Sequence, residues 1–171
     1  MIPPPLTTSR ALRAAGRQPA LPFQVALADG RRLTMLRLLR VLPGKRLVGE
    51  ADLDGRRVLA KLFIGRRGEG HWRKERAGLA ALAAAGIATP PLVAATAMAD
   101  GGYALMTDFL APAESLAETM ARLPPGAPAA GLAPALTVVG RLHAAGLVQD
   151  DLHLGNFLLY DGRLLVVDGG A

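Results

Sequence analysis

Apolar positions in the first third of the chain come in short runs, not in long amphipathic arcs. Residues 36–41, 46–53 and 57–64 each carry the alternating or continuous apolar pattern of a strand. Asp54-Gly55 sits between the last two and predicts a tight hairpin, because that pair tolerates the positive φ angles of a two-residue turn. The period then lengthens. Trp72, Leu79 and Leu82 recur at helical spacing over residues 71–85, and Gly86 with Pro90-Pro91 ends the helix. Strands are predicted at 92–97 and 103–108, with a turn at 100–102. Residues 110–131 hold four prolines and read as a connection, with a short helix over 113–123. Residues 132–145 predict a helix, with Pro134 in its first turn and Gly146 closing it. A hairpin of 157–160 and 163–167 around Asp161-Gly162 follows. Residues 1–30 read as a flexible or weakly packed lead-in.

Hairpins with one long helix, then helices and another hairpin, give an α+β chain of 171 residues, long enough for a core. Cys 0 excludes disulfides, thiolate metal sites and cysteine nucleophiles, and suits a reducing compartment. Residues 79–99 are uncharged, but Pro90-Pro91 interrupts them, so no transmembrane segment is predicted. The expected location is cytoplasmic, free or peripheral at a membrane surface.

The net charge of +6 is unevenly distributed. Residues 1–80 hold 17 Lys+Arg and 6 Asp+Glu, whereas residues 81–171 hold 3 and 8. The separation fits a phosphate-binding half beside a carboxylate-bearing half, or a solvated arginine-rich surface. With 4% aromatic residues and an acidic second half, a nucleic-acid partner is not expected.

Two constellations could carry chemistry. Gln149-Asp150-Asp151-Leu152-His153-Leu154-Gly155-Asn156 is the densest polar cluster, holds the sole asparagine, and is followed twelve residues later by Asp168-Gly169-Gly170. Phosphotransferases of the protein-kinase type need one carboxylate to orient a hydroxyl, and an amide and a second carboxylate to hold Mg²⁺. The alternative is that Asp151 and Asn156 satisfy backbone groups in a turn. The second constellation is Lys61 with Glu75. Lysine is scarce (Lys45, Lys61 and Lys74 against seventeen arginines), and Lys61 lies inside an apolar run. Glu75 falls on the apolar helix face, where a carboxylate requires a cation. The alternative is an edge-strand lysine and a snorkelling glutamate.

On these residues the chain resembles the protein-kinase-like superfamily, and more narrowly the lipopolysaccharide kinase family (InaA, WaaP and Kdo-kinase type). The likeness is carried by Val41-Leu42-Pro43-Gly44-Lys45-Arg46-Leu47, Ala60-Lys61-Leu62-Phe63, His71-Trp72-Arg73-Lys74-Glu75, Arg141-Leu142-His143 and Asp151-Leu152-His153-Leu154-Gly155-Asn156. It implies an N-lobe antiparallel sheet with one long helix over 31–110. A hinge follows, and then the start of a mostly helical C-lobe over 111–171, ending after the Asp-Gly-Gly element. It implies ATP and Mg²⁺ as cofactors, with Asp151 catalytic, Asn156 and Asp168 on the metal, Lys61 on ATP phosphates paired with Glu75, and residues 104–112 receiving adenine. Gly44 and Gly49 stand where a phosphate-covering loop would be, without its full glycine pattern. The implied acceptor is a sugar hydroxyl, as on lipopolysaccharide core at the inner-membrane surface.

Some features depart from the pattern. Gln149-Asp150 replaces the His-Arg before the catalytic aspartate, and Gly169 stands where a phenylalanine is usual. Activation-loop control is therefore not expected. The family fold continues beyond the Asp-Gly-Gly element, so residues 1–171 read as a fragment or a reduced member, with weak turnover and a tendency to associate. The competing readings are a catalytically silent nucleotide-binding module and a basic surface-binding scaffold.

Overall fold

The alternation that predicts strands also decides which side chains the first sheet buries. The structure, a computed structural model, describes residues 3–124, 132–148 and 153–168. The chain divides into two compact units, Met1–Arg73 with Pro91–Phe109, and Lys74–Pro90 with Leu110–Ala171.

In the first unit, β1 (Phe23–Ala26), β2 (Arg32–Leu42), β3 (Arg46–Leu53), β4 (Arg56–Phe63), β5 (Leu92–Ala97) and β6 (Tyr103–Asp108) form one sheet, ordered β1-β2-β3-β4-β6-β5. Every pairing in it is antiparallel. Asp54 and Gly55 adopt φ of 54° and 82°, the paired positive values of the expected two-residue turn. Along β4, Val58, Ala60 and Leu62 enter a core shared with Leu33, Met35, Ala51, Leu53 and Met106. Leu59, Lys61 and Phe63 therefore take the opposite face.

The weakly packed lead-in expected over residues 1–30 is instead part of this core. Helix α1 (Ser9–Ala14) buries Leu12, and β1 buries Phe23 and Val25. The physical reason is legible in retrospect: Phe23, Val25 and Leu27 alternate as a strand does, and Thr8 caps α1 by accepting from the Ala11 amide. Ser9 fixes the helix by donating its backbone N–H to Asp100 and its hydroxyl to the Gly101 carbonyl.

Helix α2 (Gly68–Ala84) starts three residues earlier than the periodicity predicts. Gly68, Trp72, Glu75, Leu79 and Leu82 form its buried stripe at 3–4-residue spacing. At Gly68 a Cβ would stand 2.8 Å from the Phe63 carbonyl oxygen, so the turn into the helix requires glycine there.

The second unit carries β7 (Glu114–Ser115), α3 (Leu116–Ala121), α4 (Ala133–Ala144), a 3-10 turn (Leu154–Asn156), β8 (Phe157–Tyr160) and β9 (Arg163–Val166). Strands β7, β8 and β9 make a three-stranded sheet. Ser115 and Glu118 close a reciprocal capping box at the start of α3. The core joins Leu82, Ile87, Leu116, Ala135, Leu142, Phe157 and Val166. The stretch after α2 is tied in twice: Arg141 Nη2 donates to the Gly86 carbonyl at 2.8 Å, and the Val166 amide donates to the Ala88 carbonyl at 2.9 Å.

Candidate active site

Lys61 sits in β4, an interior strand, facing Val48 of β3 and Leu105 of β6 in register. It is buried, at 9% exposure. The edge-strand alternative therefore falls away: a central position on the side opposite the core holds an ammonium flanked by apolar neighbours. Glu75 is buried too, at 5%, and it is the charged member of the buried α2 stripe. A surface snorkelling role for Glu75 falls away with that burial.

The two glycines of the expected phosphate loop occupy different environments. Gly44 lies at the tip of the β2–β3 hairpin with φ of 66° and open space around it. The turn is anchored, because the Lys45 carbonyl accepts the amides of Ile64 and Gly65 at 2.9 and 3.0 Å. Gly49 lies inside β3, opposite Leu38. A Cβ there would overlap the Arg37 carbonyl oxygen and stand 2.5 Å from Met35 Sδ. Packing against β2 accounts for Gly49.

Two buried polar residues on the Lys61 face escaped the sequence reading. Glu50 lies opposite Leu59, and Thr107 faces Leu59 from the other side. Both are 6% exposed. Glu50 accepts from Arg37 Nε at 3.2 Å and pairs with Arg57. The available signal was an acid inside the apolar stretch Leu47-Val48-Gly49-Glu50-Ala51. Trp72, in the first turns of α2, is held to this sheet: its Nε1 donates to the Ala104 carbonyl at 3.0 Å. The Trp72 ring also packs on Tyr103 with centroids 4.9 Å apart.

In the second unit, His153 caps the 3-10 turn, its Nδ1 accepting from the Gly155 amide at 3.0 Å. The turn delivers Asn156 into a buried position, at 8% exposure, just before β8. The β8–β9 hairpin then folds back through Asp161-Gly162, with φ of 48° and 69°. The Val167 amide donates to the Asn156 carbonyl at 3.0 Å, and half-buried Asp168 is the next residue. The hairpin thus brings the backbone just before Asp168 back to that of Asn156. Asp151 lies outside the described residues. Among the described residues no group of three His, Cys, Asp or Glu side chains could hold a metal. An amide and a carboxylate are hard oxygen donors suited to Mg²⁺, which keeps several waters and needs few protein ligands.

The fold that these units build is that of the protein kinases. The chain aligns with the kinase domain of Mycobacterium tuberculosis PknI at TM-score 0.60 and 20% identity, covering 89% of this chain and 63% of that one. With vaccinia related kinase 3 the TM-score is 0.56 at 14% identity, covering 95% and 55%. The chain thus spans less than two thirds of either kinase, and identities this low speak to the fold alone. Residues 59–168 match the lipopolysaccharide kinase (Kdo/WaaP) family, and the chain belongs to that family. No curated protein matches it. Among the described residues no helix is long and apolar enough to cross a membrane.

Proposed function

We propose that this chain carries the nucleotide-binding and catalytic-loop elements of an ATP- and Mg²⁺-dependent phosphotransferase acting on a sugar hydroxyl, with lipopolysaccharide core at the inner-membrane surface as acceptor. The observation that supports it best is the return of Asp168 to buried Asn156 through the β8–β9 hairpin. Family membership supports it independently.

Each residue has a role in this reading. The Lys61 ammonium binds ATP phosphate oxygens as a compact point charge, and Glu75 takes the helix-carboxylate role that the family resemblance implies. Gly44 lets the hairpin backbone approach the phosphates, and residues 104–112 receive adenine through backbone groups. The Asn156 amide oxygen and an Asp168 carboxylate oxygen would hold Mg²⁺, which would offset charge on the phosphates. Asp151 orients the acceptor hydroxyl and takes its proton on a carboxylate oxygen. In this reading residues 31–110, together with α1 and β1 of the same sheet and core, form an N-lobe, and residues 111–171 the start of a C-lobe.

The test is transfer of the ATP γ-phosphate to dephosphorylated core oligosaccharide. Asp151→Asn is expected to lower kcat by about 10²–10⁴-fold with nucleotide affinity retained. Unchanged transfer by Asp151→Asn removes Asp151 from its role. Undiminished nucleotide affinity with no transfer by the unaltered protein supports a silent nucleotide-binding module in place of an enzyme.

A further inference from the structure

Strand β2 contains two β-bulges three residues apart. Its register with β3 runs Met35 to Ala51, Arg37 to Glu50, Leu38 to Gly49 and Arg40 to Val48, which leaves Leu36 and Leu39 as the extra residues. Strand β1 pairs with β2 only over Arg32 to Met35. Beyond that point, among the described residues, the outer edge of β2 has no neighbouring strand in its sheet.

A bulge re-aims side chains, and here each one exposes a leucine beside an arginine. Leu36 and Leu39 are 36% and 49% exposed, and Arg37 and Arg40 are exposed with them. Edge strands are commonly protected by charge and bulges, which accounts for the arginines. Protection does not account for two leucines turned outward. The unit that carries this edge, residues 1–73 and 91–109, is basic as a whole, with fifteen Lys+Arg and seven Asp+Glu. Glu50 is shared between Arg37 and Arg57, so this carboxylate leaves net positive charge on the face it occupies.

Apolar side chains interleaved with cations are what an anionic lipid interface selects, the former entering the acyl boundary and the latter meeting headgroup phosphates. We infer that residues 36–40 form a docking edge for an anionic bilayer, with Leu36 and Leu39 inserting and Arg37 and Arg40 at the phosphates. This inference is independent of phosphotransfer, and its test uses no turnover.

The experiment is co-sedimentation with vesicles of phosphatidylglycerol and phosphatidylcholine against vesicles of phosphatidylcholine alone. The protein is expected to bind the anionic vesicles only, less tightly as salt rises. Arg40→Ala should weaken partitioning about fivefold. Leu36→Ser with Leu39→Ser should weaken it at least tenfold, with an unchanged melting temperature. If that double variant melts lower, Arg40→Ala and Leu39→Ser alone make the comparison. Equal binding by the variants, equal binding to neutral vesicles, or no binding to anionic vesicles would overturn the inference. Displacement by inorganic phosphate beyond that by chloride of equal ionic strength would reduce the edge to a simple anion site. A dimer that the leucine variants abolish, without vesicle binding, would assign the edge to a second copy of the chain.

Discussion

The backbone N–H of Val167 donates to the carbonyl of Asn156 at 3.0 Å. The hairpin that starts one residue after the asparagine therefore closes one residue before the carboxylate of Asp168. Both metal-ligand candidates depend on that closure, and the closure depends on the positive φ of Asp161 and Gly162. Gly162→Val is expected to cost about 1–2 kcal/mol, since a β-branched residue resists the left-handed region. Hydrogen exchange at the Val167 amide should quicken with it. An unchanged exchange rate would mean that the hairpin turn does not control the closure.

The two glycines expected in a phosphate loop should behave differently, because Gly49 lies in register with core residue Ala60 and Gly44 at an open hairpin tip. Gly49→Ala places a methyl against the Arg37 carbonyl and Met35 Sδ, and should cost about 3 kcal/mol, the upper end of overpacking. Gly44→Ala meets open space and only the strain of its φ, about 1 kcal/mol, but it stiffens the turn proposed to approach phosphate. Urea unfolding separates the two. Comparable losses would contradict the packing assignment of Gly49.

Trp72→Phe keeps an aromatic ring against Tyr103 but removes the Nε1 donor to the Ala104 carbonyl. Losing that hydrogen bond, while the Ala104 carbonyl keeps its place in the sheet, should cost about 0.5–1.5 kcal/mol by denaturant unfolding. A neutral substitution would show that ring packing alone holds the start of α2 to the sheet.

The sequence was informative where period and chemistry agreed. Strands over Leu92–Ala97, Tyr103–Asp108 and Phe157–Tyr160 follow from apolar runs bounded by turns, with the residues expected. The Asp-Gly turns follow from one dipeptide each. What stayed hidden is non-local. Leu12 and Phe23 look like part of a proline-rich lead-in until the sheet supplies a surface to cover. Glu50 drew no attention in the sequence because its partners Arg37 and Arg57 meet it only once the neighbouring strands pair. Gly49 looks like a loop glycine because the bulges in β2 that crowd it leave no mark in the sequence of β3. Of the candidate site, the Asn156–Asp168 hairpin was legible from spacing, and the burial of Lys61 and Glu75 from the apolar runs around them.

Isothermal calorimetry of ATP binding with and without Mg²⁺, on the unaltered protein and on Asp168→Ala, tests the nucleotide site most directly. The unaltered protein is expected to bind ATP more tightly with Mg²⁺, and Asp168→Ala to lose that magnesium dependence while remaining folded. At about a hundredfold excess over Kd, Mg-ATP should stabilise the unaltered protein by roughly 2.7 kcal/mol. A folded protein that binds no ATP, or an Asp168→Ala variant with the full magnesium dependence, would contradict the assignment.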